Sequence, residues 1–242
     1  FHRRLANKLL SFFTTSYIAV SKEVSVKCIQ QHHNTAGRPT HILYNMIDEK
    51  KFHQNHITNK NMNTKKEITI AGIGRLVPQK NFSLLIEAFA KCQSKISNLK
   101  LVLIGDGPEL KNLKKWAKDL KTDQDTNFLG YREDVPNLIP DIDLLVMPSE
   151  YEGFGIAALE CFYCGIPAVV SHNTPIKEIA FGACITSDTT AEDLSQKILN
   201  ILTNPELYEK MSYNAKQTAQ KHTIPQYLNK LRSLYVSHLK TN

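Results

Sequence analysis

From residue 66 onward, short and mainly apolar runs alternate with longer stretches in which apolar residues recur every third or fourth position. The short runs at 67–71, 101–104, 127–129, 142–147 and 168–171 predict strands, and the periodic stretches at 82–92, 109–120 and 156–164 predict helices. Strand and helix signals in alternation call for an α/β fold, a parallel sheet with helices on both faces, and strands this apolar suit burial on both sides. Beyond Thr186 the pattern turns helical at 191–202, 205–221 and 225–239, each opening near a good cap or a first-turn proline. Those last helices are expected to pack on the sheet's edge.

The first 47 residues read differently: a helix at 3–13, a strand at 17–20, another helix and a strand at 40–44. This is the tail of a preceding α/β unit. Residues 48–65, rich in Asn, Lys and His with no hydrophobic period, read as a linker in which His53 and His56 are solvated. The main unit then runs over 66–222, and 223–242 form a C-terminal helix expected to pack back toward the first unit. A chain that opens on Phe1 and runs into a basic amphipathic segment reads as a piece of a longer protein. The one apolar stretch near the start, 9–20, is broken by Ser11, Thr14, Thr15 and Ser16, so no transmembrane segment is expected.

Composition narrows the picture modestly. A hydrophobic content of 42% is ample for a buried core, and the net charge of +7 suits an anionic partner without choosing among nucleotide diphosphate, lipid headgroup and nucleic acid. Five scattered cysteines argue for reduced thiols in a cytoplasmic protein, and Cys161-x-x-Cys164, a single pair inside an apolar helix, reads as core packing.

Two loops carry candidate chemistry. Ser149-Glu150-Tyr151-Glu152-Gly153-Phe154-Gly155 lies between a strand and a helix and sets Glu152 eight residues before Glu160. Free backbone N–H groups and the positive end of a helix dipole face the cleft at such a junction, and two carboxylates there can accept hydroxyl pairs, an arrangement that suits a sugar nucleotide. The second loop, Gly72-Ile73-Gly74-Arg75-Leu76-Val77-Pro78-Gln79-Lys80-Asn81, offers a planar fork and a point charge to phosphate oxygens; its plainer reading is a tight turn with two solvated cations. Gly72-x-Gly74 and Gly105-x-Gly107 each lack the third glycine of a dinucleotide fingerprint, and no phosphate-loop lysine motif is present. Asp141-Ile142-Asp143 precedes a strand at the end opposite the glycine loop, so a turn cap is expected there in preference to a metal site. Lys111, Lys114, Lys115, Lys118 and Lys121 form a basic helix face without the aromatic interleaving of a base-stacking surface.

Taken in order, I-A-G-I-G-R-L-V-P-Q-K-N, L-V-L-I-G-D-G-P-E-L, N-F-L-G-Y, D-L-L-V-M-P-S-E-Y-E-G-F-G-I-A-A-L-E and G-I-P-A-V-V-S resemble the donor half of retaining glycosyltransferases of family 4, with the GT-B fold. The resemblance runs from about residue 17 to the C-terminus. It implies two Rossmann-like domains facing a cleft, with residues 1–47 the end of the acceptor domain and 66–222 the domain that holds the nucleotide sugar. It implies that Arg75 and Lys80 grip the diphosphate and, with Glu152, carry the catalytic work. Gly74, Gly153, Phe154 and Gly155 would then line the donor, Glu160 would hold the ribose, and Gly130 and Tyr131 would line the base pocket. No metal or cofactor is expected, and the expected partners are a UDP- or GDP-linked sugar and a glycan or lipid-linked acceptor, with no nucleic acid. The expected location is cytoplasmic, with peripheral association at the inner membrane face left open. The loop 172–178 departs from the paired-glycine loop of the family and is left out of the site. With most of the acceptor domain outside these residues, the chain alone is expected to bind donor and transfer poorly. The competing readings are a non-catalytic nucleotide-binding module and a sugar-nucleotide epimerase.

Overall fold

A computed structural model describes residues 13–30, 38–52 and 66–240. The predicted helix at 3–13 and most of the 48–65 stretch lie outside the described residues. In the first segment β1 (Tyr17–Ala19) pairs in parallel with β2 (Thr40–Ile42), and between them α1 (Lys22–Val24) runs on into a wider helical turn at Ser25–Gln30. Residues 48–52 are more ordered than a linker: Glu49–Lys51 form a 3-10 turn capped by Asp48, and buried Phe52 packs 5.0 Å from the Tyr163 ring.

The main unit holds six parallel strands: β3 (Ile68–Ile73), β4 (Leu99–Ile104), β5 (Thr126–Gly130), β6 (Leu144–Met147), β7 (Ala168–Ser171) and β8 (Cys184–Ser187), in spatial order β5-β4-β3-β6-β7-β8. The sheet is buried on both faces. Ile68, Ile70, Leu144, Val146 and Val169 face one core cluster, while Ala71, Ile73, Leu145, Met147, Ala168 and Val170 face the other. This period-two division is what makes the strands read as continuous apolar runs.

Helices α2 (Phe82–Gln93), α3 (Leu110–Asp119) and α6 (Ala191–Leu202) cover the first face. The second face is covered by the short α4 (Val135–Leu138), α5 (Ile156–Tyr163) and much of α7 (Pro205–Gln220). Of the late helices, α6 reaches β7 and the edge strand β8 and also packs on α2, while α7 packs on α5, so they extend the two layers. The last helix, α8 (Ile224–Lys240), lies against the first segment, where Ile42, Leu43, Gln226, Lys230 and Leu234 line a shared groove. Among the described residues no helix is long and apolar enough to cross a membrane.

One strand escaped the sequence pattern. The edge strand β8 is only partly buried at Cys184, Ile185 and Thr186, so it lacks the fully apolar signature of its neighbours. Cys161 and Cys164 both lie inside the second core cluster.

Candidate functional site

The chain leaves β3 toward β4 on one side and leaves β6 toward β7 on the other, although β3 and β6 are neighbours. Loops that diverge from adjacent parallel strands open a crevice at their carboxyl ends, the place where open α/β sheets bind ligands. The loops in question are the two singled out from sequence, 74–81 and 148–155.

The first loop is welded to the turn after β4. Gly74 and Leu76 donate backbone N–H groups to the carbonyls of Ile104 and Asp106, each at 2.9 Å, and Glu109 N–H returns to the Leu76 carbonyl at 3.0 Å. The second glycine pair makes this approach possible: a Cβ on Gly105 would stand 1.9 Å from the Gly74 carbonyl oxygen, and one on Gly107 would stand 2.3 Å from that of Leu76. Gly105 and Gly107 thus serve turn-on-turn packing, while Gly72 leaves room for the Phe82, Leu85 and Leu103 side chains. Buried Leu76 anchors the loop while Arg75, beside it, is exposed and makes no side-chain hydrogen bond or ion pair among the described residues. A 3-10 turn, Pro78–Lys80, then delivers Lys80 to the crevice before α2.

The second loop meets the first through three polar contacts. Glu150 N–H donates to the Gln79 carbonyl at 2.9 Å, the Gln79 amide donates to the Tyr151 carbonyl at 2.7 Å, and the Lys80 ammonium is ion-paired with Glu152. The Glu152 side chain is buried, and its Oε1 takes both the Lys80 ammonium and the Ser149 hydroxyl, the latter at 2.9 Å. Oε2 takes no hydrogen bond from the described residues. The loop ends at Gly155, whose φ of +106° suits glycine, and α5 begins there with no side-chain cap. The first N–H groups of α5 and its positive dipole end therefore face the crevice.

The remaining expected residues sit farther out. Glu160, on α5, is half-buried; burial raises its carboxyl above the ordinary range, Lys51 pulls the other way, and no described residue hydrogen-bonds it. Gly130 lies at the end of β5, where its carbonyl accepts the Gly105 N–H at 2.8 Å, and Tyr131 beyond it is 72% exposed. Both lie on the carboxyl edge of the sheet, with β4 between them and β3. Asp143 lies at the opposite edge. Its carboxylate accepts the Thr69 N–H at 2.9 Å, and its carbonyl accepts the Tyr208 hydroxyl at 2.9 Å, so it ties β6 to β3 and α7.

Sequence reasoning assigned no role to Ser149 or Gln79, although both stand inside the quoted motifs. It also omitted Ser21 and the loop 172–178, which lies directly beneath Gly155: a Cβ there would stand 3.3 Å from Thr174 and 3.2 Å from Ile176.

A family model for glycosyl transferases group 1 matches residues 53–218. The chain belongs to this family. Among curated relatives, N-acetyl-alpha-D-glucosaminyl L-malate synthase of Bacillus anthracis is 28% identical over 184 residues, 73% of this chain and 48% of that protein. A GDP-mannose-dependent alpha-(1-6)-phosphatidylinositol dimannoside mannosyltransferase of Mycobacterium tuberculosis is 33% identical over 150 residues, 61% of this chain and 39% of that protein. The chain thus spans about half the length, or less, of these relatives. Among solved structures, Anabaena HepE in complex with UDP and glucose superposes with a TM-score of 0.80 at 22% identity, covering 96% of this chain and 66% of that one. A sucrose-phosphate synthase from Thermosynechococcus elongatus gives 0.82 at 17% identity, covering 100% and 62%. These likenesses establish the GT-B type α/β fold.

Proposed function

We propose that this group 1 glycosyl transferase chain is the donor-binding half of a retaining enzyme that moves a hexose-type sugar from a nucleotide-diphosphate sugar to a glycan or lipid-linked acceptor. The observation that carries the reading is the meeting, at the switch point of the sheet, of Lys80 and a buried Glu152 from two different loops, with Arg75 on the first loop making no side-chain hydrogen bond or ion pair among the described residues.

Each group has a task that its chemistry suits. As the glycosidic bond breaks, negative charge grows on the leaving diphosphate, and preorganised cations stabilise that charge most where water is excluded. Arg75 supplies a planar two-pronged donor and Lys80 a point charge, so the compensation rests on side chains and needs no metal in this reading. The start of α5 adds backbone N–H donors. Glu152 keeps one oxygen for Lys80 and Ser149 and presents the other to hydroxyls of the transferred sugar. Glu160 would take the ribose diol, and the backbone at Gly130 and Tyr131 would border the base.

The relatives support a UDP- or GDP-linked donor: HepE was crystallised with UDP, and the mycobacterial relative is named for GDP-mannose. A lipid-linked acceptor would bring the protein to a membrane surface as a peripheral protein. Calorimetric titration of the chain with UDP, GDP and ADP tests the reading, with Arg75→Ala/Lys80→Ala as control. Saturable binding of one nucleotide, lost in the variant, is expected; binding unaffected by the double substitution would overturn it.

A further inference from the structure

The second donor loop is held from below by the first segment of the chain, and the contacts converge on one carboxylate. Glu178 ends the 3-10 turn Pro175–Glu178 that follows β7. It accepts the backbone N–H groups of Lys22 at 2.9 Å and Glu23 at 3.2 Å, and the Tyr44 hydroxyl at 3.0 Å. The start of α1 is thus capped twice: Glu178 takes its first two N–H groups and the Ser21 hydroxyl takes that of Val24 at 3.0 Å. With its own proton the same Ser21 hydroxyl donates to the Gly153 carbonyl at 3.2 Å. The Tyr44 ring stands 6.0 Å from the ring of Phe154. Burial and the neighbouring Glu178 carboxylate push the Tyr44 hydroxyl up to about 12, so it stays a donor at neutral pH.

We infer that Glu178, acting through Ser21 and Tyr44, is a positioning residue that sets the conformation of residues 153–155 and couples the segment containing β1 and β2 to the donor site. Two charge-assisted bonds from Glu178 orient the start of α1 and thereby aim Ser21 at Gly153, while the third holds Tyr44 beside Phe154. The consequence for ligand binding rests on the donor-site reading above; the structural coupling does not.

The test compares the chain with its Glu178→Gln and Ser21→Ala variants by nucleotide titration, thermal unfolding and the backbone amide resonances of the ligand-free protein. The expected result is a shift of the Gly153 and Gly155 amide resonances in both variants, little change in β3 or β4, and about a tenfold loss of affinity for whichever of UDP or GDP binds. Unshifted glycine resonances would overturn the inference, as would shifts spread evenly over the sheet with a matching fall in melting temperature. If Glu178→Gln fails to fold, Ser21→Ala decides, since it deletes one bond to the loop and leaves Glu178 in place. If the unaltered chain binds no nucleotide, the donor-site reading fails, while the glycine resonances still decide the coupling.

Discussion

The Lys80 ammonium and the Glu152 carboxylate, contributed by different loops, form an ion pair at the carboxyl end of the sheet, and the Ser149 hydroxyl shares the same carboxylate oxygen. Arg75, five positions before Lys80, stands outside this network. If the two cations hold the diphosphate as proposed, removing either deletes a charge-assisted contact worth about 1.5–3 kcal/mol, a roughly ten- to hundredfold loss of affinity. The two substitutions should part company in stability. Arg75→Ala is expected to leave the melting temperature unchanged, whereas Lys80→Ala strands a buried carboxylate and lowers it, with Glu152→Gln restoring part of the loss in the double variant. Equal melting temperatures for the two single variants would contradict this division.

Glu160 should show a trade between stability and binding. Because burial raises its carboxyl, the fold prefers the neutral form; its stabilising contribution is complete below the ordinary carboxylate range and is lost as pH rises through the raised value. Glu160→Gln should therefore melt higher than the unaltered chain at neutral pH, lose that advantage in acid, and bind nucleotide more weakly. Paired melting curves across pH, with a titration at neutral pH, check all three.

His222 works in the opposite direction. Burial, reinforced by Lys230 and Lys221, lowers its pKa to about 4, so the fold holds it neutral. Stability from this residue is complete above about 6.5 and is lost as pH falls toward 4, up to about 3 kcal/mol. Urea titrations of His222→Phe should show a flatter acid limb than those of the unaltered chain.

The glycines should rank by what surrounds them. Gly105→Ala places a methyl 1.9 Å from a backbone oxygen at a φ of +143° and should cost about 3 kcal/mol, displacing the Arg75 loop as well. At Gly153 nothing lies within 4 Å of the added carbon and φ is not positive, so Gly153→Ala should change stability by less than about 1 kcal/mol. Denaturant midpoints of the two variants measure the contrast.

Asp143→Ala should separate structure from function. It leaves the Thr69 N–H without its partner beside the sheet and should cost about 1–3 kcal/mol. Nucleotide affinity, measured well below the unfolding transition, should not move. A fall in affinity without a fall in stability would restore a ligand role to the Asp141-x-Asp143 pair.

What the sequence displayed and what it hid follow from the range of the interactions. Arg75 and Lys80 lie within one turn, as do Glu152, Gly153 and Gly155 within another, so both clusters were readable as local motifs flanked by strand and helix periods. Helices α2, α5 and α6 were readable for the same reason, their apolar faces repeating along one element. The role of Glu178 was not, because its partners Lys22, Glu23 and Tyr44 lie 134 to 156 positions away, and a carboxylate that caps another segment's helix leaves no periodic trace. The loop 172–178 looked anomalous because its glycines are missing, yet Thr174 and Ile176 supply the wall against which Gly155 fits. Strand β8 was hidden by its half-exposed edge position, and the placement of α6 and α7 by the fact that a helix's apolar stripe does not name the layer it will join.

Leu76 is bonded through both its N–H and its carbonyl to the neighbouring turn, and its side chain is fully buried. The backbone that carries Arg75 is therefore held by the neighbouring turn without any ligand. If Arg75 takes the diphosphate as proposed, its part in nucleotide capture is the rotation of one exposed side chain in place of ordering a loop, and the conformational entropy lost there is that of a single arginine, about 2 kcal/mol at most. Association should accordingly run in one kinetic phase, with the guanidinium closing over a diphosphate that the rigid turn has already received.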